Sequence, residues 1–387
     1  MTDVLISGGG IAGSSLAIML GRQGIAVELF ERGQFPKEKP CGEGLMPAGV
    51  GVLERLGLAE AVGGAPFHGV RYHFGNQSAE GRFPRTKGVP ASGRGQRRVH
   101  LDAALFGAAA STPNVSAHTG TRVEAPLVEN GRVVGLMVDG QPRRVRRGGL
   151  TVAADGVHSL LRHQIGLHVS QRRHRFGARA HFRLAAGQAQ PPWVDVFVCR
   201  GYELYVTPLP ANEILVAGLA DAGAAREPIE KTFLRWRSGP PELAARLEGA
   251  EQVSAILCSS PLAARARSGV APGIVLLGDA AGFLDPITGG GMTQALVSSE
   301  LLARYVLKGV ESFDAWMWSF ERDRKTFLRD YRILTHMVLW LADHPALAER
   351  ALSVLRFSPP LFSHLVGVSG GVRCLFGMSL ARSLRSF

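Results

Sequence analysis

The chain has 387 residues, 46% of them hydrophobic and 20% charged, enough apolar content to bury a large core in two or three regions and to exclude disorder as the default. Lys and Arg total 44 against 32 Asp and Glu, a formal charge of +12, which attracts acidic surfaces, anionic lipids or anionic substrates and says nothing about fold. Taken in chain order, the first element is a short apolar strand, Val4 to Ser7, that runs into Gly8-Gly-Gly10-Ile-Ala12-Gly13 and then an apolar helical stretch to Leu20. In that setting Gly8 permits a tight turn, Gly10 lets a pyrophosphate approach the backbone, and Gly13 lets helix and strand pack closely. The phosphate charge meets the helix N-terminus. A second strand, Ala26 to Phe30, ends at Glu31-Arg32, with Glu31 eighteen residues beyond Gly13 and placed to accept hydrogen bonds from an adenosine ribose.

A Pro/Gly-rich loop follows, Gln34 to Gly44, containing Pro40-Cys41-Gly42-Glu43-Gly44. A loop between a strand and a helix of a dinucleotide unit is well placed for chemistry. The stretch Ala48 to Gly57 is amphipathic, residues 67 to 85 alternate as strands, and Val99 to Ala110 has helical spacing. β-rich pieces at Val115 to Val123 and Val133 to Val138 lead to a buried-strand pattern, Leu150 to Ala154, that ends at Asp155-Gly156. Residues 176 to 260 hold strand-like runs between Pro and Gly turns, which predicts a mostly antiparallel sheet, with a helix from Pro228 to Leu247. From Phe313 onward the pattern is helical, with Trp316, Trp318, Phe320, Phe327 and Trp340 as large apolar groups.

The basic clusters Arg143 to Arg147 and Arg172 to Arg175 lack interleaved aromatics, so they read as solvated faces and not as a nucleic-acid platform. Cysteines at 41, 199, 258 and 374 form neither a CxxC pair nor a zinc pattern, and a reducing cytoplasm is the expected setting. No secretory signal or bilayer-spanning run is visible. The apolar stretch Pro359 to Ala381 leaves room for peripheral membrane contact.

Two further fingerprints complete the pattern: Ala154-Asp155-Gly156-Val-His-Ser159 through Arg162, and Gly278-Asp279-Ala-Ala-Gly282 through Asp285-Pro286-Ile-Thr-Gly289-Gly290-Gly291-Met292. With the first turn, they resemble the flavoprotein monooxygenase superfamily of the para-hydroxybenzoate hydroxylase fold, close to its geranylgeranyl reductase and flavin halogenase branches. The resemblance spans residues 1 to about 310. It implies an α/β fold: a Rossmann-type FAD-binding domain resembling glutathione reductase, formed by residues 1–70, 96–175 and 261–310. A mostly antiparallel substrate domain, 71–95 and 176–260, is inserted, and a helical region, 311–387, follows. It also implies that Asp155 and Gly156 lie near the pyrophosphate, that Asp279 holds a ribityl hydroxyl, and that Pro286 and Gly289 to Met292 approach the flavin ring. A positive helix end there stabilises the anionic reduced flavin. Arg98-Val-His-Leu-Asp102 resembles the family's phosphate- or ribose-contacting helix, and Val123 the position whose backbone meets adenine.

The fold does not decide the reaction. The first reading is a monooxygenase, hydroxylase or epoxidase, of a hydrophobic aromatic or lipid-like molecule, reduced by NADH or NADPH. It needs no protein nucleophile, only a dry, shaped cavity. The second is saturation of prenyl double bonds, because Pro40 to Leu45 is similar to the Pro-Cys-Gly-Gly-Gly-Leu loop of geranylgeranyl reductases, with Glu43 in place of a glycine. Cys41 would there be a catalytic proton donor. Gly282 stands where the hydroxylases carry His. Halogenation is disfavoured, since Trp316-Met-Trp318-Ser-Phe lies after the third fingerprint and lacks Ile-Pro. No second glycine fingerprint marks a nicotinamide domain, so nicotinamide docks transiently or a separate reductase supplies electrons.

Overall fold

The computed structural model describes residues 2–171, 175–221, 223 and 227–376, so Arg172 to His174 of the second basic cluster and the end of the apolar C-terminal stretch lie outside the described residues. The first strand, Thr2–Ser7, sits inside a sheet ordered Val270–Ala271, Ile274–Leu276, Gln141–Ala153, Thr2–Ser7, Val27–Glu31, Val115–Thr119. All of these pairs are parallel except the outermost, Val270–Ala271 with Ile274–Leu276. Period-two alternation divides the strand between two cores. Val4 and Ile6 pack with Leu16, Ala17 and Leu20 of the first helix, Ile11–Gly21, and with the helices Arg98–Ala110 and Gly291–Val306. Leu5 turns to the other side, with Phe30, Val133 and Leu136 beneath the hairpin Val123–Glu129 and Arg132–Val138.

One detail differs from the expected elements here. The β-rich run ending at Val123 is broken after Thr119, where Gly120 adopts φ +66, and Val123 opens a separate strand of the hairpin. The arginine run from 143 lies inside the long Gln141–Ala153 strand, where Arg143, Arg144 and Arg147 form the expected solvated face; Arg144 pairs with Glu129 (2.6 Å) and Arg146 with Asp3.

The second large sheet is ordered Glu251–Gln252, Arg175–Arg183, Glu213–Asp221, Tyr202–Leu209, Val194–Cys199, Gly69–Phe74, Gln77–Arg82. Its strands are antiparallel except for the parallel pair Val194–Cys199 with Gly69–Phe74. One face packs Leu204, Val206 and Val216 against Phe233, Trp236 and Leu243. The helix expected over 228–247 is in fact two, Ile229–Arg237 and Pro241–Arg246, because Gly239-Pro240-Pro241 removes backbone donors and the residue before proline is driven out of the helical region. The other face carries Val70, Val194, Val196, Tyr205 and Leu215 and meets Leu352, Phe362 and Val366.

Those last residues belong to the C-terminal helices Phe313–Ala342, Pro345–Phe357 and Pro359–Ser369. The aromatic residues prominent in the sequence are divided. Trp316 and Phe320 are buried in the first core, whereas Trp318 and Trp340 are exposed.

Candidate functional site

The site begins with the glycine turn. Gly8 has φ +106, and a Cβ there would lie 2.3 Å from the Ala154 carbonyl oxygen; at Gly13 a Cβ would lie 2.0 Å from the Gly8 carbonyl oxygen. Strand, turn and helix are therefore in backbone contact. Gly10 occupies the N-cap of the first helix without a side-chain cap, so the first-turn amides are free to meet an anion. Gly10, Ile11 and Ala12 line a cleft of about 1490 Å³ of empty space, open mouth included.

The three fingerprints converge on this cleft. Gly156 follows the Gln141–Ala153 strand into its wall, and Gly278, Asp279, Pro286, Gly289, Gly291 and Met292 line it too. Arg162 ties the second fingerprint to the third: its guanidinium donates to the carbonyls of Asp279 (3.3 Å), Ala280 (3.1 Å) and Val157 (2.6 Å). Ser159 caps the short helix that carries it, accepting from the Arg162 amide at 3.0 Å. The Asp279 carboxyl has no hydrogen-bond partner among the described residues. Burial raises its pKa against the pull of Arg98, Lys39 and Arg162. Asp155 is also raised by burial, and its Oδ1 is buried without a partner while Oδ2 accepts from the Leu161 amide.

Other predicted residues take different positions. Glu31 is buried and accepts from the Gly9 amide (3.0 Å) and the Gly33 amide (2.8 Å), with Lys37 Nζ 2.5 Å away. Burial works against its ionisation, but Lys37 and the Gly33 amide hold its carboxylate below the usual range. Arg32 is exposed, and Val123 and Gly290 lie outside the cleft lining, Gly290 donating its amide to the Tyr331 hydroxyl (3.2 Å). Arg98 lines the cleft and is held bidentate by Asp102 at 2.9 and 2.7 Å. Cys41 and Gly42 line it too; Cys41 Sγ accepts from the Glu43 amide at 3.4 Å.

Several residues were not singled out by the sequence. Lys39 enters the cleft, its ammonium disfavoured by burial and by Arg98. Glu43, fully buried and at φ +55, sets one carboxylate oxygen on the Arg98 amide (2.9 Å) and the other on His181 Nε2 (2.7 Å). His181 in turn meets Arg179 at 3.1 Å, and Arg179 reaches Glu38. The sequence signal was Glu43 itself, a bulky acid in a position suited to glycine. Its partner His181 sits on a strand 138 residues away with no local mark, and Arg98 on a helix 55 residues away.

Behind the Gly289 end of the cleft lies a second space, about 1190 Å³ of empty volume with its opening included. Met46, Val194, Tyr205 and Gly289 line both spaces, so the two adjoin. The sheet contributes Val70, Val196 and Val198; the C-terminal helices contribute Leu334, Val338, Leu352, Leu355 and Val366. None of the five aromatic residues prominent in the C-terminal sequence lines it. The wall mixes aliphatic side chains with Tyr72, Phe74, Tyr205 and Phe362.

A glycine turn at an uncapped helix end, a partnerless carboxyl facing it and an adjoining apolar chamber define a dinucleotide-binding oxidoreductase of the flavin type. The residues fit FAD: backbone amides for the pyrophosphate, Asp279 for a ribityl hydroxyl. Residues 1–309 match the model of the FAD binding domain family. The chain belongs to that family, within the flavin-dependent monooxygenase superfamily that its three fingerprints resemble. It is 27% identical over 330 residues to menaquinone reductase of Mycolicibacterium smegmatis, covering 79% of this chain and 76% of that protein. It is 26% identical over 325 residues to squalene epoxidase of Schizosaccharomyces pombe, covering 79% and 69%. Among solved structures, a flavoprotein/dehydrogenase from Cytophaga hutchinsonii superposes with TM-score 0.81 at 19% identity over 96% of this chain and 93% of that one; at that identity the likeness is one of fold.

Proposed function

We propose that this FAD-dependent oxidoreductase inserts an oxygen atom into a hydrophobic, isoprenoid-like small molecule, with NADH, NADPH or a separate protein as electron donor. The observation that carries the reading is the apolar chamber that adjoins the cleft at Gly289. Bound FAD supplies the redox chemistry; the protein binds it, orients the substrate and keeps water out. The uncapped helix at Gly10 and the Asp279 carboxyl hold the cofactor. The chamber walls align an apolar substrate toward the Gly289 to Met292 segment and exclude solvent around it. The two relatives act, by their names, on squalene, a chain of isoprene units, and on menaquinone, a quinone ring bearing an isoprenoid chain, which supports the substrate class.

A second reading, reduction of a prenyl double bond, is favoured by the position of Cys41, whose thiol lines the same cleft as Met292 and would be within reach to supply a proton. The test incubates the FAD-loaded protein with NADPH and either squalene or menaquinone under isotopically labelled oxygen, followed by mass spectrometry. Incorporation of one labelled oxygen supports the first reading. A product that gains two hydrogens at a prenyl double bond, and no label, replaces it with the second, whereas two hydrogens on the quinone ring alone count against both. Oxidation of NADPH with both lipids unchanged counts against the isoprenoid class.

A further inference from the structure

The chamber behind Gly289 is apolar but not uniformly so, and its polar groups can be followed one by one. Tyr205 donates its hydroxyl to the Ile287 carbonyl at 2.9 Å, Thr288 is bonded to Thr335 at 2.9 Å, and Ser369 donates to the Val366 carbonyl at 2.9 Å. His73 is held between Asp195 (2.8 Å) and Glu242 (2.9 Å). Two groups remain. The Tyr72 hydroxyl has no hydrogen-bond partner among the described residues, and Glu203 has only one carboxylate oxygen engaged, by Arg175. Both line the chamber.

Sheet register puts the two on one face, on the strands that flank Val194–Cys199. Tyr72 pairs with Val196, and Val196 with Tyr205, in one cross-strand row; Val198 pairs with Glu203 in the next row on the same face. The Tyr72 ring is fixed by tilted packing on Phe362, centroids 5.9 Å apart. We infer that Tyr72 and Glu203 form a hydrogen-bonding station for a single oxygen of the substrate, so that the molecule held here is an apolar chain or ring system bearing one hydroxyl or carbonyl. This rests on the reading that the chamber is the substrate site.

The physical reason is the asymmetry of burial. A hydroxyl left without a partner in an apolar enclosure loses about 1–3 kcal/mol of solvation that no other contact restores, so the free Tyr72 hydroxyl disfavours a pure hydrocarbon and favours a ligand with an acceptor or donor at that point. Tyr72 is a dependable donor, because burial, with Glu203 and Tyr331 nearby, pushes its pKa up to about 12. Burial likewise raises Glu203, with Arg175 opposing. The station lies on the same sheet face as Tyr205, which borders the cleft, so an anchored oxygen fixes which carbon of the chain faces Gly289.

The test titrates the FAD-loaded protein with farnesol and with the triene hydrocarbon of the same skeleton, reading the visible spectrum of the oxidised flavin. Farnesol should bind about tenfold more tightly, and Tyr72→Phe, which keeps the ring on Phe362, should erase that preference: farnesol weakens, while the hydrocarbon, which no longer buries an unsatisfied hydroxyl, binds at least as tightly as to the parent. The hydrocarbon titration thus reports whether the variant is folded. Equal affinities in the parent protein, or a farnesol preference that survives Tyr72→Phe, overturn the station and leave the chamber as substrate site. If neither probe perturbs the flavin, the station and the chamber assignment fall together.

Discussion

Replacing Gly13 with alanine tests the closest contact in the molecule's cofactor site. The added Cβ would sit 2.0 Å from the Gly8 carbonyl oxygen and 3.2 Å from Ile6 Cγ2. Real Cβ contacts stay beyond 3.0 Å, so the first helix must retreat by about 1 Å from the turn. It cannot do so freely, because Leu16, Ala17, Ile18 and Leu20 are fully buried. Overpacking of this kind costs about 1–3 kcal/mol, and with a backbone atom as the obstacle the upper end applies. Gly10→Ala is the control. Its Cβ would meet only Lys39 Nζ at 3.4 Å, and its φ of −78 suits any residue, so apoprotein stability should stay within about 1 kcal/mol. Gly10 nevertheless lines the cleft, and a methyl group there stands where a pyrophosphate approaches. Urea unfolding of the apoproteins and FAD titration by flavin fluorescence quenching separate the two. Gly13→Ala should lose both stability and at least about tenfold in FAD affinity, about 1.4 kcal/mol; Gly10→Ala should lose FAD affinity alone. Normal stability in Gly13→Ala, or a loss in Gly10→Ala of the same size, would refute the packing argument.

Three further outcomes follow from the site. Because burial raises the folded pKa of Asp279 above its unfolded value, its ionisation opposes folding: stability falls as pH rises through the window between the two pKa values, and the cost is complete above the folded one. Asp279→Asn should therefore stabilise the apoprotein at neutral pH while weakening FAD binding, and a stability difference that does not shrink toward acid pH speaks against this. Arg175 is buried between Asp285 (2.7 Å) and Glu203, and Asp285 also accepts from the Ile287 amide. Arg175→Met should cost about 3–5 kcal/mol in urea unfolding, since it removes the buried guanidinium that Glu203 and Asp285 share; a loss under about 1 kcal/mol would mean the network is not held as described. Cys41→Ala should retain turnover if oxygen insertion is the reaction. Loss of turnover with FAD fully bound would instead support a proton-donating thiol.

What the sequence determined by itself is local. The glycine turn, the paired first strands, the Asp155-Gly156 and Gly278-Asp279 segments and the alternating strands of the second sheet are written in short runs, because turn sterics and side-chain periodicity act over a few residues. Where local chemistry was misjudged, the error was local too: the Gly239-Pro240-Pro241 break and the turn at Gly120 were within view. Only the tertiary structure decided the rest. Glu43 was visible as an oddity, yet its meaning depends on His181 and Arg98, brought to it from a distant strand and a separate helix. The aromatic residues prominent in the C-terminal sequence offer large apolar groups, but helix periodicity turns Trp316 and Phe320 into the core and leaves the chamber to Leu334, Val338, Leu352, Phe362 and Val366. Tyr72 and Glu203 carry no sequence signal at all. Their place on one face of the sheet arises from strand register, and the freedom of the Tyr72 hydroxyl from where the neighbouring hydroxyls found their partners.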